Sequence, residues 1–202
     1  MTSIALFHSV LGVRPGVQAA ADLLRSHGHD VTIVDQYHGI VFDDYDEADA
    51  YATGIGYPSL MESAVEAVGD MAAPFVVAGF SNGGGMAEYV AATTPGVCGA
   101  LLFSGALDPA MIGVESWPTT VPAQIHYTTD DPFRDQSWID AVEAMVRKSG
   151  AQIELFDYPG TGHLFTDQSV PAEYQPQEAE LLWRRAIAFL DGLAGPNTAN
   201  SK

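Results

Sequence analysis

Six short runs of apolar or β-branched residues, spaced along the chain, constrain its fold more than any other feature. They are Ile4–Phe7, Val31–Val34, Phe75–Gly79, Cys98–Phe103, Ala123–Tyr127 and Ile153–Tyr158. Ile4–Phe7 and Phe75–Gly79 are apolar at nearly every position. A strand with no polar side must be covered on both sides, as in a parallel sheet. Most of the runs are separated by segments with helical periodicity. Pro15–Ser26 places Val17, Ala20, Ala21 and Leu24 on one face, with Gly28 just beyond. Pro58–Val68, Gly83–Ala92, Ser137–Lys148 (closed by Gly150) and Glu178–Leu190 follow. Strands joined through helices require right-handed crossovers. The expected fold is therefore α/β: three layers, with a mostly parallel sheet and helices on both of its faces. In such sheets functional residues gather at the carboxyl ends of the strands.

The chain has 202 residues, enough for one domain with a substantial core. We expect a single domain over residues 1–193 and a small, polar, frayed tail over 194–202. Residues 36–56 mix Tyr37, Phe42, Tyr45 and Tyr51 with five acidic residues. They read as an irregular segment, too long for a plain connection and suited to a lid-like role. Asp and Glu number 26 against 8 Lys and Arg, a formal charge of −18. Such a surface repels phosphate backbones and anionic lipid, which argues against nucleic-acid and membrane partners. Cys98 stands alone, so it reads as a small buried apolar residue rather than half of a disulfide. A reducing cytoplasm is the natural location.

The third run leads into Gly79-Phe80-Ser81-Asn82-Gly83-Gly84 and then a helix. This is G-x-S-x-G in the strand–turn–helix context of an α/β-hydrolase nucleophile elbow. The turn must be so tight that the positions flanking the serine cannot carry bulky side chains, and glycine meets that demand. It lifts the Ser81 hydroxyl out of the sheet and aims the Asn82 N–H toward a reacting oxygen. A phosphate cradle is a poorer reading, because the chain lacks both G-x-G-x-x-G and a P-loop string here.

A serine hydroxyl needs a base, and in this architecture the order is Ser, then an acid, then His. Of six histidines only His163 follows both Ser81 and the Asp130-Asp131 pair at the end of the fifth strand. It lies in Tyr158-Pro159-Gly160-Thr161-Gly162-His163, a glycine-rich loop after the last strand. The acid should follow the fifth strand, where Asp130 and Asp131 are adjacent candidates. Pro132 biases Asp131 toward extended backbone. A second oxyanion donor is expected from the loop after the first strand, and the Val10 N–H is the candidate. Tyr37, His38, Phe80, Phe133 and Leu164 are expected to wall the substrate pocket. His27-x-His29 lacks a supporting acidic ligand, so no metal site is expected.

The chain resembles the dienelactone hydrolase family of α/β-hydrolases. The likeness runs from Ile4 to about Leu190. It rests on Val10-Leu11-Gly12-Val13, the elbow from Gly79 to Gly84, the stretch from His126 through Asp131-Pro132-Phe133, and Gly162-His163 followed by Phe165. The His126 to Asp131 spacing tilts the acid toward Asp131. The resemblance implies Ser81, Asp131 and His163 as a triad, Val10 and Asn82 as oxyanion donors, and no metal or organic cofactor. Well-known members carry cysteine at the elbow and a glutamate in the first loop, where this chain has Ser81 and Ser9. Members acting on carboxylate-bearing lactones use arginine near the histidine. Here Asp167 occupies that neighbourhood, with His163 itself the only basic residue close by in sequence. A small neutral ester or lactone is the substrate this implies, handled by a monomer or homodimer. The alternatives are a binding protein that keeps the fold without catalysis, and a thioesterase or acyltransferase using the same triad.

Overall fold

The computed structural model describes residues 1–194; of the expected tail, only Ala194 falls within them. Six strands form one sheet: β1 (Ser3–Phe7), β2 (Asp30–Val34), β3 (Phe75–Phe80), β4 (Val97–Phe103), β5 (Ala123–Thr128) and β6 (Ile153–Tyr158). Their order is β2-β1-β3-β4-β5-β6, and every neighbouring pair is parallel. The helices are α1 (Pro15–Ser26), α2 (Tyr45–Ile55), α3 (Tyr57–Ala67), α4 (Asn82–Thr93), α5 (Gln136–Ser149) and α6 (Pro176–Ala194). None of them is long and apolar enough to cross a membrane.

The chain steps from β1 to β2 in one direction and from β3 to β6 in the other. Right-handed crossovers therefore put α1 on one face and α3, α4 and α5 on the opposite face. The last helix lies on the face bearing Gly99 and Phe103 of β4. A Cβ at Gly99 would crowd Phe189 and Leu193 of α6, and the Phe103 and Trp183 rings sit 5.4 Å apart. β1 and β3, completely covered by these layers, are buried at nearly every position. The reversal of strand order falls between β1 and β3. That opens a crevice beyond their carboxyl ends, where the loops after β1 and β3 meet.

The segment 36–56 is not irregular throughout. Its second half is α2, which the sequence reading did not anticipate. Asp44 caps it by accepting the Glu47 N–H at 2.9 Å, and Asp46 and Glu47 favour its positive N-terminal end. Its buried positions are only Ala48 and Ala52, so its apolar stripe is faint. Gly56, at φ 91°, separates it from α3. Cys98 also departs from expectation. It is half-buried, at the second position of β4.

Candidate active site

β3 ends at Phe80 and α4 begins at Asn82, so Ser81 makes the whole turn. Its backbone sits at φ 53°, ψ −120°, a conformation that costs a non-glycine residue about 1–3 kcal/mol. The surroundings hold it there. The Ser81 N–H donates to the Phe103 carbonyl at 2.8 Å, and its carbonyl accepts the Gly84 N–H at 2.8 Å. A Cβ at Gly79 would overlap the Gly83 carbonyl, and one at Gly83 would overlap the Phe7 and His8 carbonyls. The first turn of α4 thus rests directly on the end of β1. The Ser81 hydroxyl stands at the tip, beside the N–H groups of a helix N-terminus.

His163 rides on the loop after β6. Gln175 clips this loop by accepting the Gly162 N–H at 2.9 Å and donating to the Pro159 carbonyl at 2.8 Å. The Thr128 hydroxyl donates to the Gly162 carbonyl at 2.9 Å, and the Leu164 N–H donates to Glu173 at 2.6 Å. So held, the imidazole is 4% exposed. Its Nε2 lies 2.7 Å from the Ser81 Oγ and its Nδ1 lies 2.7 Å from an Asp131 carboxylate oxygen. The other Asp131 oxygen accepts the Phe133 N–H at 2.8 Å. Asp130, its neighbour, is exposed and meets only the Thr129 hydroxyl, at 3.2 Å. An ionised carboxylate only accepts, so Nδ1 carries the imidazole hydrogen and the Nε2 lone pair faces the Ser81 hydroxyl. That polarity suits a base drawing a proton from serine.

The Asn82 N–H opens α4, and the Val10 N–H lies in the loop after β1. Neither donates to a protein acceptor among the described residues. A narrow cleft lies among sequence neighbours of Val10, Ser81 and His163. Its lining includes Ser9 beside Val10, Phe80 beside Ser81 and Leu164 beside His163, with Val17, Thr166 and Asp167.

Two of the expected pocket walls are elsewhere. Tyr37 is fully buried in an aromatic cluster, 4.6 Å from the His8 ring and 5.1 Å from the Tyr51 ring, because the chain after β2 turns it into the core. His38, at φ 52°, is consequently thrown outward into solvent. Phe133 stands at the rim, its ring 4.7 Å from His163 and half exposed.

Tyr45, Glu173 and Arg14 stand near the site and were not singled out from sequence as part of it. Tyr45, the first residue of α2, packs its ring 5.1 Å from Phe133 and donates its hydroxyl to Glu173 at 3.0 Å. Arg14 approaches Asp167 to 3.9 Å, so a basic residue does stand in that neighbourhood, brought there by the fold from a distant point in sequence. Four of its five N–H donors are committed, to the Phe42 carbonyl at 2.6 Å, Asp43 at 2.7 Å and Ser169 at 3.1 and 3.3 Å. Only Tyr45 left a sequence trace, through the capping pattern Asp44-x-x-Glu47 that starts its helix.

The sequence profile of the dienelactone hydrolase family matches residues 1–193. The chain belongs to that family. It is 25% identical to carboxymethylenebutenolidase of Rhodococcus opacus, across 98% of this chain and 84% of that protein. In fold it is similar to a dienelactone hydrolase-like promiscuous phosphotriesterase from metagenomic libraries, with TM-score 0.81, 17% identity and coverage of 96% and 87% of the two chains. A Pyrobaculum calidifontis esterase aligns with TM-score 0.68 and 16% identity, over 96% of this chain and 77% of that one. As a dienelactone hydrolase family member the chain is a hydrolase of ester bonds in small molecules. Its fold is the α/β-hydrolase fold of these structures.

Proposed function

We propose that Ser81, His163 and Asp131 hydrolyse a small, neutral ester or lactone through an acyl-enzyme. The observation that carries this reading is the pair of 2.7 Å contacts from one imidazole, to the Ser81 hydroxyl on one side and to Asp131 on the other. The Ser81 Oγ attacks the substrate carbonyl carbon while its proton passes to the His163 Nε2. Asp131 holds the Nδ1–H and offsets the charge of the imidazolium. The Val10 and Asn82 N–H groups receive the oxyanion. The tetrahedral species then collapses, the C–O bond to the alcohol breaks, and His163 returns the proton to the leaving oxygen. In a lactone that alcohol stays tethered to the acyl group. Water, deprotonated by His163, releases the acid by the same route.

The lining of the cleft supports the neutral character. Val17, Phe80 and Leu164 make apolar walls, four of the five Arg14 N–H donors are already occupied, and Asp167 contributes a carboxylate. A substrate carboxylate would meet a like charge there, beside an arginine already paired with Asp43.

The test is Ser81→Ala assayed with p-nitrophenyl acetate, beside fluorophosphonate labelling of the unaltered enzyme. Turnover is expected to drop by about 10⁴- to 10⁶-fold, and the label to sit on Ser81. Full turnover by folded Ser81→Ala would dispose of the serine mechanism. A carboxylate-bearing lactone turned over faster than a neutral one of the same ring size would dispose of the neutral-substrate assignment.

A further inference from the structure

We propose that His8 is a positioning residue for the oxyanion, because its imidazole fixes and polarises the Ser9–Val10 peptide whose N–H serves as one of the two donors. The proposal rests on the serine mechanism above and adds a residue that this mechanism does not use.

His8 directly follows β1 and is 0% exposed. Its two ring nitrogens have different partners, and those partners dictate the tautomer. The Gln36 N–H lies 3.1 Å from Nε2 and can only donate, so Nε2 must offer its lone pair. The hydrogen of the neutral ring is then on Nδ1, which donates to the Ser9 carbonyl at 2.7 Å. Burial holds the ring neutral by pushing its pKa below the ordinary histidine value, against smaller upward effects of the Ser9 bond and of Asp35. A doubly protonated ring would set two N–H donors against each other at Gln36. The Tyr37 ring, edge-on at 4.6 Å, closes one side of the imidazole.

The Ser9 carbonyl and the Val10 N–H are opposite ends of one planar amide. Fixing the carbonyl therefore fixes the direction of the N–H. A donor on the carbonyl oxygen also draws electron density toward it and makes the N–H more positive, the polarisation that links successive hydrogen bonds in a chain. The Val10 N–H is the end left without a protein acceptor among the described residues. The sequence imidazole, amide, open N–H thus ends on the donor assigned to the oxyanion. The same peptide has other anchors. Ser9 also accepts the Gly12 N–H on its carbonyl at 3.0 Å and the Leu11 N–H on its hydroxyl at 3.2 Å. Loss of the imidazole should therefore weaken the donor without unravelling the turn.

The experiment compares His8→Asn, His8→Gln and His8→Ala on p-nitrophenyl acetate. An asparagine amide can reach the Nδ1 position and keep a donor for Ser9. A glutamine amide reaches the Nε2 position and serves Gln36 instead. Complete loss of one oxyanion donor costs about 10²–10³ in kcat, so weakening one is expected to cost about tenfold. That loss should appear in His8→Gln and His8→Ala, with KM unchanged within about twofold. His8→Asn should recover most of it. Affinity for a trifluoromethyl ketone, whose adduct carries an oxyanion, should fall in step with kcat.

If the unaltered enzyme labels with fluorophosphonate and Ser81→Ala is dead, the serine mechanism stands whatever His8 does. A folded His8→Gln with kcat within twofold of the parent, or His8→Asn as impaired as His8→Ala, overturns the proposal alone. If the variants fail to fold, ¹⁵N NMR of the unaltered enzyme still decides. The His8 resonances must show a protonated Nδ1 and an unprotonated Nε2, and the opposite tautomer overturns it.

Discussion

The Ser104 hydroxyl donates to the His163 carbonyl at 2.8 Å, which ties the loop bearing the imidazole to the end of β4. Ser104 is buried and itself sits at φ 50°. It lies one residue past Phe103, whose carbonyl takes the Ser81 N–H. The His163 loop and the Ser81 turn therefore share one strand end as a common reference. Ser104→Ala removes the donor and leaves a buried carbonyl short of a partner, at a cost of about 1–3 kcal/mol. Because a small displacement of a positioned base is costly, kcat should fall by about three- to tenfold with KM little changed. Thermal melting and steady-state kinetics check both. Unaltered kcat with lowered stability would confine Ser104 to a structural role.

Asp130 and Asp131 are adjacent but differ in burial and partner, which separates their expected effects. Asp131→Asn replaces the acceptor at the His163 Nδ1 with a group that can donate, and this favours the wrong imidazole tautomer. A loss of about 10⁴-fold in kcat is expected, with the fold kept by the remaining Phe133 N–H contact. Asp130→Asn touches an exposed side chain bonded only to Thr129, and activity should stay within about twofold. A large loss at Asp130 and none at Asp131 would reverse the assignment of the acid.

The fold was legible because β1 and β3 lie inside the sheet, and burial on both sides writes itself as unbroken apolar sequence. Helix α2 was not legible, because its inner face is built from Ala48 and Ala52, which make little hydrophobic contrast. In the candidate site, Ser81 and His163 stand out since each is flanked by glycines that only a tight turn or close approach explains. The directions of Tyr37 and His38 were hidden, because the periodicity of β2 ends before them and the φ of 52° at His38 has no sequence mark. Arg14 beside Asp167, and His8 between Gln36 and Ser9, are contacts between remote segments that no local pattern encodes.

Glu173 joins α2 to the His163 loop. Its carboxylate takes the Leu164 N–H at 2.6 Å and the Tyr45 hydroxyl at 3.0 Å. The two partners can be removed separately. Tyr45→Phe keeps the ring against Phe133 and loses one hydrogen bond, so stability should drop by about 1 kcal/mol and kcat by less than about threefold. Glu173→Ala strips both donors of their acceptor next to His163, and kcat should fall by about tenfold. Equal effects of the two substitutions on kcat would show that the Leu164 contact does not steady the imidazole.

Glu88 gives the fold a pH dependence of its own. It lies in α4 at 0% exposure, and burial, opposed by the Leu107 N–H and reinforced by Asp108, pushes its pKa up to about 8. One carboxyl oxygen accepts that N–H at 2.9 Å and the other has no partner among the described residues. The facing side chain from β5 is Tyr127, whose hydroxyl is engaged with the Ala106 N–H at 2.9 Å. In the unfolded chain Glu88 ionises near pH 4.5, whereas in the folded chain it keeps its proton until about pH 8. Between those values folding takes up a proton. The contribution to stability is complete below the unfolded pKa and is lost as pH rises through the folded one, at a slope of up to about 1.4 kcal/mol per pH unit. His8 and His126 act in the opposite direction. Burial lowers both, His126 to about 3, so their contribution is lost as pH falls below 6.5. Glu88→Gln removes the carboxyl titration and leaves the histidines in place. The difference in urea-unfolding free energy between the variant and the parent should be a constant offset near pH 4 and move steadily in favour of the variant from pH 5 to pH 8. A difference that stays flat across that range would mean that the folded protein ionises Glu88 as readily as the unfolded chain does.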